Sequence, residues 1–437
     1  MRQNDVLFWI WLADALGAAN SDFRKIIELY ESPYEVFVAE AEELERRAGL
    51  REKTVADLSN KSLKRASEIL DNCERLGIGL MPYDSELYPQ SLREIKNPPV
   101  LLYYAGRVPK LSDHLCVGLV GTRKMSAYGM ETAYKISYEL ARKNVVIVSG
   151  LAEGIDGVCG AATLNAGGFT VAVLGCGLDR AYPAHHGKLM NEVAKRGLLL
   201  SEYPPGTKPM HYHFPARNRI ISGLSHAVAV IEAGLGSGSL ITAKDAIMQG
   251  KDVFAVPSNA NGIGSEGTNG LLRDGAYFAT CAEDILRKYE YLFPMSAGAV
   301  ERCSCVDVEY LKMMGVIGER TRSGGESRKK ESDVPSEDGR KKCARSTSRV
   351  HGDQINKNIE ADCSKEELSP IKNERATGIP LDPLQEEILR AMPDDRAVSA
   401  DELLRLEHPN SDILTALTVM EITGLVEKLP GAAYRKA

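Results

Sequence analysis

Six short apolar runs constrain this chain more than any other feature. They are Cys116–Val120, Val145–Val148, Thr170–Leu174, Leu198–Leu200, Ala227–Ile231 and Val253–Val256. Each is too short for an ordinary helix and carries apolar residues at successive positions, as a strand buried on both faces does. Helical stretches lie between them, one from about Gly129 to Lys143 and another running to Ala166. Buried strands alternating with helices build a mainly parallel sheet covered on both faces. Right-handed crossovers make such a sheet doubly wound. The expected class is therefore α/β.

The flanks read differently. Residues 1–80 repeat apolar positions at helical spacing, as in Phe8-Trp9-Trp11-Leu12 and Phe23-Ile26-Ile27-Tyr30. A compact domain of helix-hairpin-helix type fits, and so does a helical packing module with no DNA contact. The sheet domain is expected to end near Tyr289. From about Gly318 to Gly378 the chain is polar, with Arg328-Lys329-Lys330 and Arg340-Lys341-Lys342 among many Ser and Glu. Such a segment buries too little to offset its ordering entropy and reads as a disordered tether. Structure returns near Leu381 with three helical patterns and a terminal hairpin, a winged-helix arrangement. Its third helix carries no Lys or Arg between Ser411 and Thr423, so a protein-contacting or structural role competes with DNA reading. The expected division is 1–85, 86–290, a linker 291–379, and 380–437.

Composition excludes several classes. Of 437 residues, 43% are hydrophobic, enough for a sizeable core, and the formal net charge of −6 does not announce a nucleic-acid binder. A basic face remains compatible with that balance, because binding depends on the local field. The nine cysteines include no CxxC, and Cys303 and Cys305 form a lone CxC, which fits reduced thiols in a cytoplasmic protein. The apolar stretch Val6–Leu12 lacks a basic flank and a cleavage site, and no run approaches the ~20 apolar residues of a membrane helix. A soluble, cytoplasmic chain is expected.

Ligands of open α/β sheets bind beyond the carboxyl ends of the strands. Four loops fall there. Gly121-Thr122-Arg123 combines a close backbone approach with a planar charged donor. Ser149-Gly150 opens the second loop. Gly175-Cys176-Gly177 imitates a dinucleotide fingerprint, but Arg180 stands where the third glycine belongs. Glu232 through Ser239 ends in Ser237-Gly238-Ser239, with Thr242 a turn later, at a helix start suited to anions. No GxxxxGK[ST] occurs, which argues against a P-loop ATPase. The segment Tyr212–Ile220 sets Phe214 beside Arg217, Asn218 and Arg219. An aromatic face stacks a base while arginines hold the backbone. A purely structural loop, with Phe214 buried and one arginine paired to Glu232 or Asp245, explains the same residues. His211 and His213 have no third ligand at useful spacing, so no metal is expected. No nucleophile and base stand together, so no catalytic residue is assigned.

These loops, in this order, resemble the DprA/Smf DNA-processing family. The matching residues run from Tyr88-Pro89 and Pro98 to Gly106, through Gly121-Thr122-Arg123, Ser149 to Asp156, Gly177-Leu178-Asp179 with Tyr182-Pro183, and Ser201 to Gly206. They continue through Phe214-Pro215-Ala216-Arg217-Asn218-Arg219, Ser237 to Leu240 with Thr242, and Glu266-Gly267-Thr268-Asn269. The resemblance implies an extended Rossmann fold with a SAM-like N-terminal domain and a C-terminal winged helix. It also implies a homodimer that binds and protects single-stranded DNA, loads RecA recombinase in natural transformation or related recombination, and uses no cofactor. The family's pocket arginine falls on Arg123 and its phenylalanine on Phe214. A Lys or Arg often precedes that phenylalanine, and here Lys208 and His211 stand nearest. The core also resembles nucleotide-cleaving phosphoribohydrolases, but the stretch from Glu232 lacks their PGGxGTxxE loop. A recombination scaffold without its own DNA grip is the third reading.

Overall fold

The computed structural model describes residues 3–259, 264–293, 300 and 302–318. In the C-terminal part it describes 383–393, 398–403, 425–429, 433–436 and single positions between them. The polar tether expected from about Gly318 to Gly378 lies, beyond Gly318 itself, outside the described residues.

Six helices open the chain: α1 (Gln3–Leu16), α2 (Phe23–Leu29), α3 (Pro33–Val38), α4 (Ala41–Ala48), α5 (Glu52–Ser59) and α6 (Lys64–Leu76). Local chemistry starts them in places. Ser32 caps α3 by accepting from the Glu35 amide, and Pro33 follows at the first helical position. Their apolar faces, with Trp9, Ile10, Phe23, Leu44 and Leu58, join one core with one face of the sheet.

The sheet has nine strands. They are β1 (Gly79–Pro82), β2 (Leu101–Gly106), β3 (Cys116–Val120), β4 (Val146–Ser149), β5 (Thr170–Leu174), β6 (Leu198–Ser201), β7 (Ala227–Val230), β8 (Asp252–Ala255) and β9 (Tyr277–Phe278). Their order is β1-β2-β6-β5-β4-β3-β7-β8-β9. All six expected apolar runs became parallel strands. Val117 faces Ile147 on one side and Ala227 on the other. The three strands not foreseen lie at the edges, and β1 and β2 pair antiparallel.

Helices α8 (Ala127–Arg142), α9 (Ile155–Asn165) and α10 (Gly187–Arg196) follow β3, β4 and β5. Helices α7 (Gln90–Arg93), α11 (His213–Leu224) and α12 (Gly238–Met248) contribute to the second core. Strand residues alternate between the cores: Val117, Leu119 and Ile147 face one, Cys116, Val120, Val146 and Val148 the other. Among the described residues, no helix is long and apolar enough to cross a membrane.

Helices α13 (Glu266–Arg273) and α14 (Ala282–Leu286) follow, and then the chain departs from expectation. Residues 302–318 fall within the expected linker, yet α15 (Val308–Met313) packs on α9, and its Leu311 is buried with Met314 and Val316 just beyond it. The sheet unit thus extends past Tyr289. Leu311 lies on the helix and Met314 and Val316 lie in the turn after it, so they show no single helical period in the sequence.

The C-terminal unit holds α16 (Pro383–Ala391), β10 (Val398–Ser399), α17 (Ala400–Leu403), β11 (Val426–Leu429) and β12 (Ala433–Lys436). The expected hairpin is β11–β12, and β10 adds a third strand on β12. Most of the expected third helix lies outside the described residues. Its Ile413, Leu417 and Met420 join the small core with Ile388 and Tyr434.

Candidate nucleic-acid interface

Strand order reverses between β3 and β7, so the chain leaves these neighbouring strands in opposite directions and a crevice opens at their carboxyl ends. A cleft of about 150 Å³ lies there, lined among others by Gly121, Arg123, Phe214, Arg217, Asn218 and Ser237–Ser239. The loop after β3 is pinned on both sides. Thr122 donates its amide to the Glu232 carbonyl at 2.8 Å, and Ile155 donates to the Thr122 carbonyl at 3.2 Å. Gly154 has φ +83°, and a Cβ there would strike the Thr122 carbonyl, so glycine is what lets the two loops meet.

Arg123 is exposed, and its guanidinium carbon stands 4.8 Å from the centroid of the Phe214 ring. Phe214 is half-buried and leans on Tyr182, with ring centroids 5.1 Å apart. Beneath them Arg217 is buried. Its Nη1 donates to the Gly150 carbonyl at 2.9 Å and to the Val173 carbonyl, and its Nε donates to Asn218 Oδ1 at 3.1 Å. Asp156 is buried beside it and accepts from the Gly150 amide at 3.1 Å. Burial pushes the Asp156 carboxyl above its usual range, opposed by Arg217 and by the Gly121 and Gly150 amides. Burial likewise pulls Arg217 down, opposed by Asp156.

The far wall is the start of α12. Ser237 caps it, accepting from the Ser239 amide at 3.4 Å, and the two hydroxyls lie 2.8 Å apart. Asn218 Nδ2 donates to the Gly238 carbonyl at 3.2 Å and ties α11 to this turn. Helix-start amides, two hydroxyls, an exposed guanidinium and an aromatic face therefore surround one opening. That set suits an anionic, base-bearing ligand.

Residues 79–290 match the family described as DNA recombination-mediator protein A, and residues 372–432 match the DprA winged helix domain. The DNA processing protein DprA of Bacillus subtilis is 44% identical over 212 residues, 48% of this chain and 71% of that protein. The chain belongs to the DprA/Smf family. DprA of Streptococcus pneumoniae is 43% identical over 206 residues, 47% of this chain and 72% of that protein. A crystal structure of DprA from that organism superposes with a TM-score of 0.57 at 34% identity, covering 64% of this chain and 97% of the other. The DprA/Smf family is one of DNA processing and recombination.

The fold brings together most residues that the DprA/Smf resemblance marks. Gly121, Arg123, Phe214, Arg217, Asn218, Ser237, Gly238, Ser239 and Thr242 all line the cleft. Others serve it from behind. Ser149 is buried and donates its hydroxyl to the Leu119 carbonyl at 2.7 Å, and Gly150 sits against Arg217. Thr122 holds the loop through its backbone. Lys208 and His211 are exposed before α11 and do not line the cleft. Arg219 turns away from it. Its Nη2 binds both Glu202 carboxylate oxygens at 2.6 and 2.5 Å, in place of the expected Glu232 or Asp245. Glu232 instead accepts from the Ser126 amide at 2.9 Å at the start of α8. His213 Nδ1 donates to the Gly175 carbonyl at 3.1 Å, and no group of three metal ligands exists among the described residues. Tyr182 and Asp156 had no role assigned from sequence, although both lie inside the motifs that carried the resemblance.

Proposed function

We propose that this chain binds single-stranded DNA in the switch-point cleft and, as a homodimer, protects it and loads RecA recombinase onto it. One observation carries the DNA contact: Arg123 and Phe214 form an exposed cation and aromatic pair opposite the serine-capped start of α12. An aromatic platform accepts any base, and a guanidinium beside helix-start amides holds phosphate. The described residues of α11 and α12 offer no long basic helix for duplex reading. The proposal of a homodimer is supported by the outer strand β9, whose Tyr277 and Phe278 are exposed. Equilibrium titration with a single strand and its matched duplex at one salt concentration tests the main contact. Stronger binding of the single strand, without sequence choice, is the expected result. Equal or tighter duplex binding would overturn it. RecA filament growth on protein-coated strands, with and without the chain, tests loading, and sedimentation tests the dimer.

A further inference from the structure

The opposite edge of the sheet, at the amino ends of the parallel strands, holds a second and larger cleft. It has a volume of about 450 Å³, against about 150 Å³ at the switch point. Its walls are the turn after β2, the ends of α8 and α10, and the turn between α9 and β5. Arg107, Arg142, Lys195 and Arg196 line it, and among the described residues no carboxylate does. On a chain of net charge −6, four cations on one cleft, with no lining carboxylate among the described residues, make the local charge there opposite to the chain's overall sign.

Part of this charge has a structural account. Helices α8 and α10 end here, and cations in a last helical turn offset the partial negative charge of its free carbonyls. Arg196 Nη2 donates to the Leu164 carbonyl near the end of α9, and Lys195 pairs with Glu192 at 2.9 Å. Arg107 has no such reason to be there. It follows a strand, it is exposed, and its guanidinium carbon lies 5.0 Å over the half-buried ring of Phe169. The pair repeats, at the other edge of the sheet, the kind of pair that Arg123 and Phe214 make. A guanidinium resting on an aromatic ring keeps its donor edge free for a phosphate.

We propose that this cleft is a second contact for single-stranded nucleic acid, taking the phosphodiester backbone of a segment outside the switch-point cleft. Arg107 and Arg142 hold phosphate oxygens, and the Phe169 ring beneath Arg107 orients its guanidinium. The site does not depend on DNA binding at Arg123, so the two readings fail separately.

The test uses the full chain and fluorescent oligothymidylates, short and long, at several salt concentrations. Arg107→Glu with Arg142→Glu is compared with wild type and with Lys53→Glu plus Arg75→Glu, an exposed pair on the N-terminal helices. Binding of the long strand by the cleft variant should show a salt slope reduced by roughly one to two, since each phosphate contact contributes about 0.7 for single strands. In an Arg123→Ala background the residual binding of a short oligonucleotide should disappear when Arg107→Glu is added. Arg107→Ala alone, at an exposed position, should lower affinity at unchanged melting temperature if the double variant folds poorly. An unchanged slope, or an equal loss in the Lys53 and Arg75 control, overturns the proposal. Binding of inorganic tripolyphosphate in the cleft with no oligonucleotide binding also overturns it, because the site would then serve a free polyphosphate.

Discussion

Arg123 and Phe214 are in contact at the switch-point cleft, with the guanidinium carbon 4.8 Å from the ring centroid, although one lies on the loop after β3 and the other in the first turn of α11. Each residue therefore helps set the position of the other. The strand-loop edge supplies the charge, and the first turn of α11 supplies the platform.

This contact shapes the effect of removing either residue. Arg123→Ala should weaken single-strand binding and flatten its salt dependence, because a charge-assisted phosphate contact is lost. Phe214→Ala should cost about 1–3 kcal/mol of binding through lost stacking, with less change in salt slope. Since the two side chains touch, the double variant should lose less than the sum, by about 0.5–1 kcal/mol, the worth of an exposed cation–π pair. The check is a double-mutant cycle by titration, run beside thermal melting. Phe214 is half-buried, so its removal should destabilise less than the about 3–5 kcal/mol of a core aromatic. Lower melting with unchanged affinity of the folded protein would assign Phe214 to structure alone.

Arg217 stands one turn further along α11 and should behave differently. It is buried, and it joins the β4 and β5 loop ends through the Gly150 and Val173 carbonyls, beside buried Asp156. Arg217→Ala leaves that carboxyl without its compensating charge, at a cost on the order of 3–5 kcal/mol of folding stability. Arg217→Lys should recover only part, since an ammonium cannot reproduce the planar fork. Urea unfolding measures this. A wild-type midpoint for Arg217→Ala would show that the guanidinium is not a structural tie.

The parallel strands were legible because burial on both faces leaves uninterrupted apolar runs such as Val145–Val148. The edge strands were not. Gly79–Pro82 contains both a glycine and a proline, and Leu101–Gly106 follows Pro98-Pro99, so neither shows a clean strand pattern. Within the site, loop chemistry identified Arg123 and the α12 start. It could not tell Arg217 from Arg219, two residues apart on one helix. Their roles follow from direction: Arg217 points under the sheet's carboxyl edge, while Arg219 meets Glu202, whose carboxylate also accepts from the Ala19 amide at 3.2 Å. Partners so distant in sequence leave no local signature.

The segment 302–318 yields a truncation test. Leu311, Met314 and Val316 are almost fully buried, and Asp307 accepts from Asn165 Nδ2 at 3.4 Å. Burial of such side chains contributes about 1.5–3 kcal/mol each. A chain ending at Gly318 should therefore keep the melting temperature of the sheet unit, and one ending at Tyr289 should lose several kcal/mol. Calorimetry on both truncations decides it. Equal melting would return residues 302–318 to the tether.

His186 gives the pH dependence. Its ring is fully buried behind the β4 loop, Nδ1 lies 3.0 Å from the Leu151 carbonyl, and Nε2 has no partner among the described residues. Nδ1 carries a proton to donate to that carbonyl, and a second proton on Nε2 would be buried without an acceptor among the described residues, so burial favours the neutral ring. Burial pulls its pKa below the ordinary 6.5, against the pull of the Leu151 hydrogen bond. The sign follows by linkage. Above 6.5 both folded and unfolded chains hold a neutral ring, and the stability is fully present. As the pH falls below 6.5 the unfolded chain gains a proton that the folded one refuses, so stability falls until the depressed folded value is reached. Burial lowers His213 and His226 in the same direction, so the wild-type slope has several contributors. His186→Asn removes one of them. Its stability should start lower at neutral pH, because the ring's packing is lost, and should then decline less steeply than wild type through the acid range below 6.5. Urea midpoints taken across that range measure the two slopes. Parallel curves would mean that His186 accepts its proton in the folded state as readily as in the unfolded one, and that its burial does not oppose the charge.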